Sequence, residues 1–479
     1  MLKLLKNATC IKRIQDRQLE FVLLRYCVAT VPMHLCRLME PHIVAQGLHR
    51  HEVVVKEQLQ RIAADAGQQI VLSPQDWAWA KLPVREGGLG LQDLPLISGA
   101  AYMAAMGAVA RQASKVHHST GSTAAQKVRA WFDDNNDRFE RALAEVAEKV
   151  NGDATNPLCP SLPALESMPS QNTLSKPIYA LRRKELLLET MTREDRAWKL
   201  SCGQFGAGSW LNCIPMLKRF ICASSVFAVM LQIRLGLVLK SAELVTHCKC
   251  GTDATRSRAM QNGRHWMTVC KKAHRGLCHD AIRDVIHRLY RQELHVPSEV
   301  EVAGLFSQLK SDGQHRPADV LVPASASEGG VAQALDVVVT DPTSKSSLEK
   351  ESSKVPLKAA AEAHKRKMQV YQRQLEAAGQ ARLPFIKVPL AFETTGAMGE
   401  ETQKWWQSVL KLEWERNNDM GLSSRREMGI DHTWTANSFV SFWLQSISMA
   451  HARMQAESVM LWVGKCQPTV GYDHDEWRH

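Results

Sequence analysis

Two short apolar runs, each with one aspartate inside it, constrain the fold of this chain more than any other feature. Residues 318–322 and 335–340 are rich in β-branched side chains and are bounded by Pro, Ser, Gly or Thr, so both are predicted to be strands. A carboxylate inside such a strand costs several kcal/mol unless another group offsets its charge, and a divalent cation is a common choice. Asp319 and Asp336 are therefore predicted to bind magnesium.

Each aspartate also has a simpler interpretation, because Asp319 could end its strand in a turn and Asp336 could be a capping or salt-bridged residue. The helix-like run that follows favours the metal interpretation, since it holds Lys365, Lys367 and Tyr371. Carboxylates from two adjacent strand ends, with a lysine nearby to stabilise developing negative charge, are what hydrolysis of a phosphodiester by a magnesium-bound water requires.

The order strand with Asp, turn, strand with Asp, then helix with Lys and Tyr resembles the core of a PD-(D/E)xK nuclease. In the simple motif a lysine stands two residues after the second acid, but Val338 occupies that position here. The lysine then comes from the following helix, at Lys367 or Lys365. This arrangement resembles the restriction-like endonuclease of non-LTR retrotransposons, although Val370 stands where that family has a second lysine.

The resemblance implies a reaction and roles for the residues that match. The reaction is magnesium-dependent nicking of target DNA, which exposes a 3′ hydroxyl for primed reverse transcription. Asp319 and Asp336 would hold the Mg²⁺, and Lys367 or Lys365 would stabilise the phosphorus centre. Arg316 and Tyr371 would contact the DNA backbone.

A second cluster combines Cys248, Cys250, His265 and Cys270. Two thiolates one residue apart, followed by a glycine and then by a His and a Cys, can close a tetrahedral structural zinc site. The spacing also leaves incidental buried cysteines as an interpretation. Other possible ligands are nearby: His247, His274, Cys278 and His279. The zinc-knuckle pattern again resembles the retrotransposon family.

The chain is basic, with 60 Lys and Arg against 49 Asp and Glu and a net charge of +11. Ten of these basic residues lie between residues 249 and 291, around the cysteine cluster. Such an excess favours contacts with phosphates over recognition of bases. Lys271, Lys272 and Arg275 are therefore predicted DNA-binding residues. The twelve cysteines show no disulfide framework, which predicts a reducing compartment.

The N-terminal half adds a third resemblance. Residues 23–27, the run Leu82-Pro83-Val84-Arg85-Glu86-Gly87-Gly88-Leu89-Gly90 and the residues Ala100-Ala101-Tyr102 together resemble the helical thumb and connection downstream of a retrotransposon reverse transcriptase. The glycines predict a tight turn with positive φ. The adjacent aspartates at 133 and 134 are interpreted as part of a polar helix, so no polymerase activity is expected from this chain.

The predicted fold class is α+β, with a mostly helical N-terminal half, a small zinc knuckle, a mixed-sheet restriction-endonuclease-like domain and C-terminal helices. The expected segments follow in order: a thumb-like region at 1–150, a Pro/Ser-rich linker at 151–176, a helical scaffold at 177–245, a CCHC-like knuckle at 246–279, a nuclease domain at 280–415 and a helical tail at 416–479.

The favoured hypothesis is therefore a retrotransposon-derived DNA endonuclease that uses structural Zn²⁺ and catalytic Mg²⁺. Its expected partners are target DNA and the RNA of the element, with no membrane association, and its expected location is nuclear or nucleocytoplasmic. Two alternatives remain: an inactive nucleic-acid-binding remnant and a host scaffold whose knuckle binds a protein. Magnesium-dependent cleavage separates the enzyme from the remnant, and salt-dependent DNA affinity separates both from the scaffold.

Overall fold

The computed structural model describes most of the chain, in segments. They are residues 10–65, 67–120, 126–127, 130–131, 134, 136–151, 167–189, 191–253, 258–270, 276–302, 318–327, 330–377, 385–419 and 433–466. The chain divides into two compact units. Unit 1 comprises Met1–Ile62 and Val71–Thr190, and unit 2 comprises Ala63–Ile70 and Met191–His479.

In its described residues, unit 1 contains helices and no strand. Its α-helices are α1 (Arg17–Leu23), α2 (Met33–Leu38), α3 (Pro41–Ile62), α4 (Pro74–Lys81), α5 (Leu94–Thr120), α6 (Asn136–Asn151) and α7 (Gln171–Leu188). The start of α4 is encoded locally, because Ser73 and Asp76 form a capping box and Pro74 occupies the first turn. Helix α7 begins inside the segment 151–176 that the sequence marks as a linker, and residues 152–166 lie outside the described residues.

The glycine-rich run ahead of α5 forms the tight turn that the sequence predicts. Gly87 and Gly90 have φ values of 94° and 78°, a region that side chains rarely adopt. At Gly88 a side chain is excluded for another reason, since a Cβ atom there would lie 2.1 Å from the carbonyl oxygen of Leu82. The turn leads into α5, whose small residues Ala100 and Ala101 are fully buried in the helical core.

Unit 2 begins with helices and contains a sheet. Its elements are α8 (Arg193–Cys202), α9 (Ser224–Leu235), α10 (Lys240–Glu243), α11 (Arg258–Gln261), α12 (Gly276–Arg288), β1 (Glu299–Val302), β2 (Ala318–Val322), β3 (Ala332–Thr340), α13 (Lys345–Glu349), α14 (Lys358–Ala377), β4 (Phe385–Glu393), α15 (Glu400–Asp419) and α16 (Phe439–Cys466). The boundary between the two units therefore falls inside the range 177–245 that the sequence presents as one scaffold.

The sheet of unit 2 is mixed, with its four described strands in the order β1-β2-β3-β4. β2 pairs antiparallel with both β1 and β3, whereas β3 and β4 are parallel. A parallel pair needs a long crossover connection, and α13 and α14 provide it. Pro389 is tolerated within β4 because that strand lies at the edge of the sheet. One small mixed sheet in a mostly helical chain confirms the predicted α+β class.

Two helical stretches of the described residues are long and apolar enough to cross a membrane by length and composition. They are Arg17–Leu38 and Leu94–Gln112, and 44% and 67% of their apolar windows are buried within the protein. The core helix of a globular domain meets the same criterion. The predicted absence of membrane association therefore stays a prediction.

Candidate functional site

The register of β2 and β3 brings the two predicted carboxylates together. Val320 pairs with Leu335 and Leu321 pairs with Ala334. Extending this register by one position places Asp319 directly opposite Asp336, and opposite residues of an antiparallel pair point to the same face of the sheet. Two like charges at such positions repel each other unless cations accompany them, so the neighbours of the two carboxylates determine what the site can do.

Asp319 is held by a backbone amide and by a histidine. Its Oδ2 atom accepts hydrogen bonds from the Val337 amide at 2.6 Å and from His279 Nε2 at 2.9 Å. Burial acts to raise the pKa of Asp319, but its contacts with His279, Val337 and Lys367 outweigh burial and lower it. Burial acts to lower the pKa of His279, but Asp319 and Asp280 outweigh burial and raise it. Asp319 is thus kept ionised.

Two lysines form ion pairs with Asp336. The Nζ atom of Lys367 lies 2.9 Å from Oδ1, and the Nζ atom of Lys387 lies 3.1 Å from Oδ2. The two differ in environment, because the side chain of Lys367 is 39% exposed and that of Lys387 only 7%. Lys367 can therefore turn toward solvent or a substrate at little cost, whereas Lys387 is fixed in the protein.

The rotation of α14 about its own axis determines which lysine of the helix reaches the carboxylates. Ala360 and Ala363 pack against β4 and β3, and Tyr371 packs against the sheet one turn beyond Lys367. These positions recur every three or four residues and define one face of the helix. Lys367 lies on that face, whereas Lys365 is exposed on another. The structure brings Lys367, and not Lys365, to Asp336.

Tyr371 is half-buried at the same end of the sheet. Its ring packs on a cluster formed by Ala318, Ala334 and Phe385, and burial raises the pKa of its hydroxyl. The predicted DNA contacts Arg316, Lys271, Lys272 and Arg275 lie outside the described residues.

The carboxylate pair fits a hard divalent cation in its donor chemistry. Asp336 Oδ2 is buried and, although Lys387 is near, has no hydrogen-bond donor. Magnesium prefers carboxylate oxygens and retains several waters, so one or two carboxylates suffice to bind it. Binding of Mg²⁺ by Asp319 and Asp336 stays a prediction.

The second site is a Cys₃His cluster that can hold a metal ion such as zinc. The ligand atoms of Cys248, Cys250, His265 and Cys270 all lie within 4.8 Å of one another. The sulfurs of Cys248 and Cys270 are 3.6 Å apart, and the sulfur of Cys250 lies 3.3 Å from His265 Nε2. Tetrahedral zinc with bonds of about 2.3 Å places sulfurs about 3.8 Å apart, so the spacing suits the metal.

Local backbone structure and electrostatics prepare this cluster for a metal. Gly251, with φ of 90°, turns the chain tightly between Cys250 and Thr252. Burial acts to raise the pKa of Cys250, but hydrogen bonds with Thr252, Cys248 and Cys270 lower it to about 7. Burial lowers the pKa of His265 and so favours the neutral imidazole. Thiolate and neutral imidazole are the forms that bind zinc.

Three contributors to these sites were not assigned their roles from the sequence. Lys387 reaches Asp336, and the only signal for it was a lysine in an otherwise apolar strand. His279, one of the alternative zinc ligands, instead contacts Asp319. Cys466, at the end of α16, lies within hydrogen-bond distance of Cys248, and burial raises the pKa of its thiol.

No protein-family model matches this chain, and no curated protein matches it either.

Proposed function

We propose that this chain is part of a non-LTR retrotransposon protein and that its C-terminal half is a restriction-like endonuclease that nicks target DNA with Mg²⁺. One observation carries the proposal. Asp319 and Asp336 meet from neighbouring strands, and Lys367 from the following helix contacts Asp336 at 2.9 Å. The element order of α12, three strands, α14 and β4 also suits a PD-(D/E)xK core, and the Cys₃His cluster precedes it as the resemblance implies.

In this proposal each described residue has a defined task. Asp319 and Asp336 would hold the Mg²⁺, which would supply a water of lowered pKa and a positive charge to offset that of the phosphate. Lys367 is the half-exposed lysine of the two that contact Asp336. Its ammonium moves away from Asp336, donates a hydrogen bond to a phosphate oxygen and offsets the charge that develops there. Tyr371, on the same face of α14, is positioned to contact the DNA backbone one turn further along.

An inactive nucleic-acid-binding remnant is the second candidate, and a specific observation favours it. The positive charges of His279, Lys367 and Lys387 offset both carboxylates. An ion-pair network of this kind can also serve structure alone. Val338, which occupies the lysine position of the simple motif, also favours the inactive remnant. The host scaffold is separated from both candidates by DNA affinity that falls steeply with salt.

Two lysines of α14 provide a matched test of the enzymatic proposal. Lys367→Met is expected to slow magnesium-dependent nicking of supercoiled plasmid by about 10²- to 10³-fold, the usual effect of losing one preorganised charge donor. Lys365→Met removes the same charge from the exposed side of the helix and is expected to leave the rate unchanged. Equal rates for the two variants would contradict the role given to Lys367.

A further inference from the structure

Lys387 is a buried cation whose position distinguishes the two oxygens of Asp336. It enters from β4, where Ala334 of β3 is its register partner. Ala334 and Asp336 are two residues apart on one strand and so share a face, which places Lys387 beside the carboxylate. Its neighbour Ile386 is 49% exposed, while Lys387 is 8% exposed. The strand thus buries a charge and exposes an apolar residue, the reverse of the usual preference.

Such an inversion requires that the buried ammonium be paired. Asp336 is the acidic residue that meets Lys387 within the described part of the chain, at 3.1 Å, and its side chain is 9% exposed. Lys367 holds the other oxygen from a half-exposed position. Oδ1 is therefore the oxygen that can exchange its partner, whereas Oδ2 remains beside the buried ammonium of Lys387.

We propose that Lys387 is the permanent counter-ion of Asp336, stabilising the protein without metal and setting a low affinity of the carboxylate pair for divalent cations. A fixed positive charge beside a ligand oxygen repels an incoming cation, and the repulsion is stronger in a buried site than in water. The inference deepens the proposed function, since it rests on the carboxylate pair being the metal site. It does not depend on DNA cleavage.

Glu393, the acidic residue of β4, does not pair with Lys387. Glu393 lies six residues after Lys387, about 20 Å along the strand. Its Oε1 accepts a hydrogen bond from the Ala360 amide at 3.3 Å, at the beginning of α14. Glu393 therefore caps α14, and Lys387 is the β4 side chain that faces the carboxylate pair.

The test is a calorimetric titration of the full chain with Ca²⁺ alone, in the absence of DNA. Lys387→Met is expected to bind Ca²⁺ at least tenfold more tightly than the wild type, because the repelling charge is gone while Lys367 still partners Asp336. Lys365→Met, the same substitution on the exposed side of α14, is the matched control and is expected to match the wild type. Asp336→Asn is expected to abolish the binding in either background.

If Lys387 has only a structural role, its replacement will not tighten the binding of Ca²⁺. Unchanged or weaker Ca²⁺ binding in Lys387→Met would overturn it, as would the absence of binding in both proteins. If Lys387→Met fails to fold, Lys387→Gln, which keeps a hydrogen-bond donor without the charge, decides the question by the same titration. Failure of the nicking experiment would leave a tighter Ca²⁺ affinity intact, so the two proposals fail in distinguishable ways.

Discussion

Removal of metal from the Cys₃His cluster is expected to unfold the segment from about residue 247 to residue 270. The four ligands come from a tight turn, from a short π-helical segment, His265–Val269, and from Cys270 directly after it. Two large apolar side chains of the segment, Met260 and Trp266, are buried. Metal binding is the main source of folding free energy in such a segment, with apparent values of about 10–16 kcal/mol in zinc-finger peptides. Without the metal, the contacts that remain between the ligands are weak hydrogen bonds that involve sulfur, such as those between Cys248 and Cys270 and between Cys250 and His265.

The measurement combines metal content with hydrogen exchange. The purified wild type is expected to contain one equivalent of zinc, and a chelator is expected to make amides of residues 247–270 exchange rapidly. Cys270→Ser is expected to have the same effect without chelator. Cys278→Ser changes a nearby cysteine outside the cluster and is expected to retain the zinc. A wild type that purifies without metal, or equal zinc loss in the two variants, would show that the cluster is not a zinc site.

Asp336→Ala is expected to destabilise unit 2 by about 3–5 kcal/mol, the usual cost of leaving one partner of a buried pair without the other. The variant leaves the ammonium of Lys387 buried without a partner, because that side chain is only 7% exposed. The half-exposed Lys367 can instead turn to solvent. Replacing a buried pair by apolar residues is often nearly neutral. The double variant Asp336→Ala with Lys387→Met is therefore expected to recover most of the lost stability.

Hydrogen exchange of peptides that cover β3 and β4 measures this effect where it arises. The single variant should exchange much faster than the wild type across both strands, and the double variant should be close to the wild type. If both variants exchange equally fast, Lys387 does not depend on Asp336. The electrostatic description of the site would then be wrong.

The parts of this site that the sequence predicted follow from local patterns. β-Branched runs with one aspartate each predict two strands. Asp319 and Asp336 lie opposite each other because of the register between β2 and β3. The sequence pattern does not determine that register, and the structure does. Likewise the sequence allowed either Lys365 or Lys367. The alanine face of α14 selects Lys367 by fixing the rotation of the helix.

The parts that the sequence did not predict depend on tertiary contacts. Nothing local tells which face of β4 is buried, so Lys387 could not be placed without its neighbour β3. The position of His279 soon after the cysteines makes it an alternative zinc ligand, yet α12 directs it to Asp319. Trp414 shares the helical spacing of the buried Trp405 and Trp406 but is 63% exposed, since the core ends before that turn of α15.

Nicking of supercoiled plasmid by the full chain, with Mg²⁺ or with EDTA, tests the central claim most directly. The wild type is expected to produce open circles only with Mg²⁺. Asp319→Asn, which keeps the shape of the side chain and removes its charge, is expected to bind the plasmid without nicking it. The stabilised double variant Asp336→Ala with Lys387→Met is expected to do the same. If the wild type binds plasmid but never nicks it, or if these variants nick as well as the wild type does, the two-aspartate site is not catalytic.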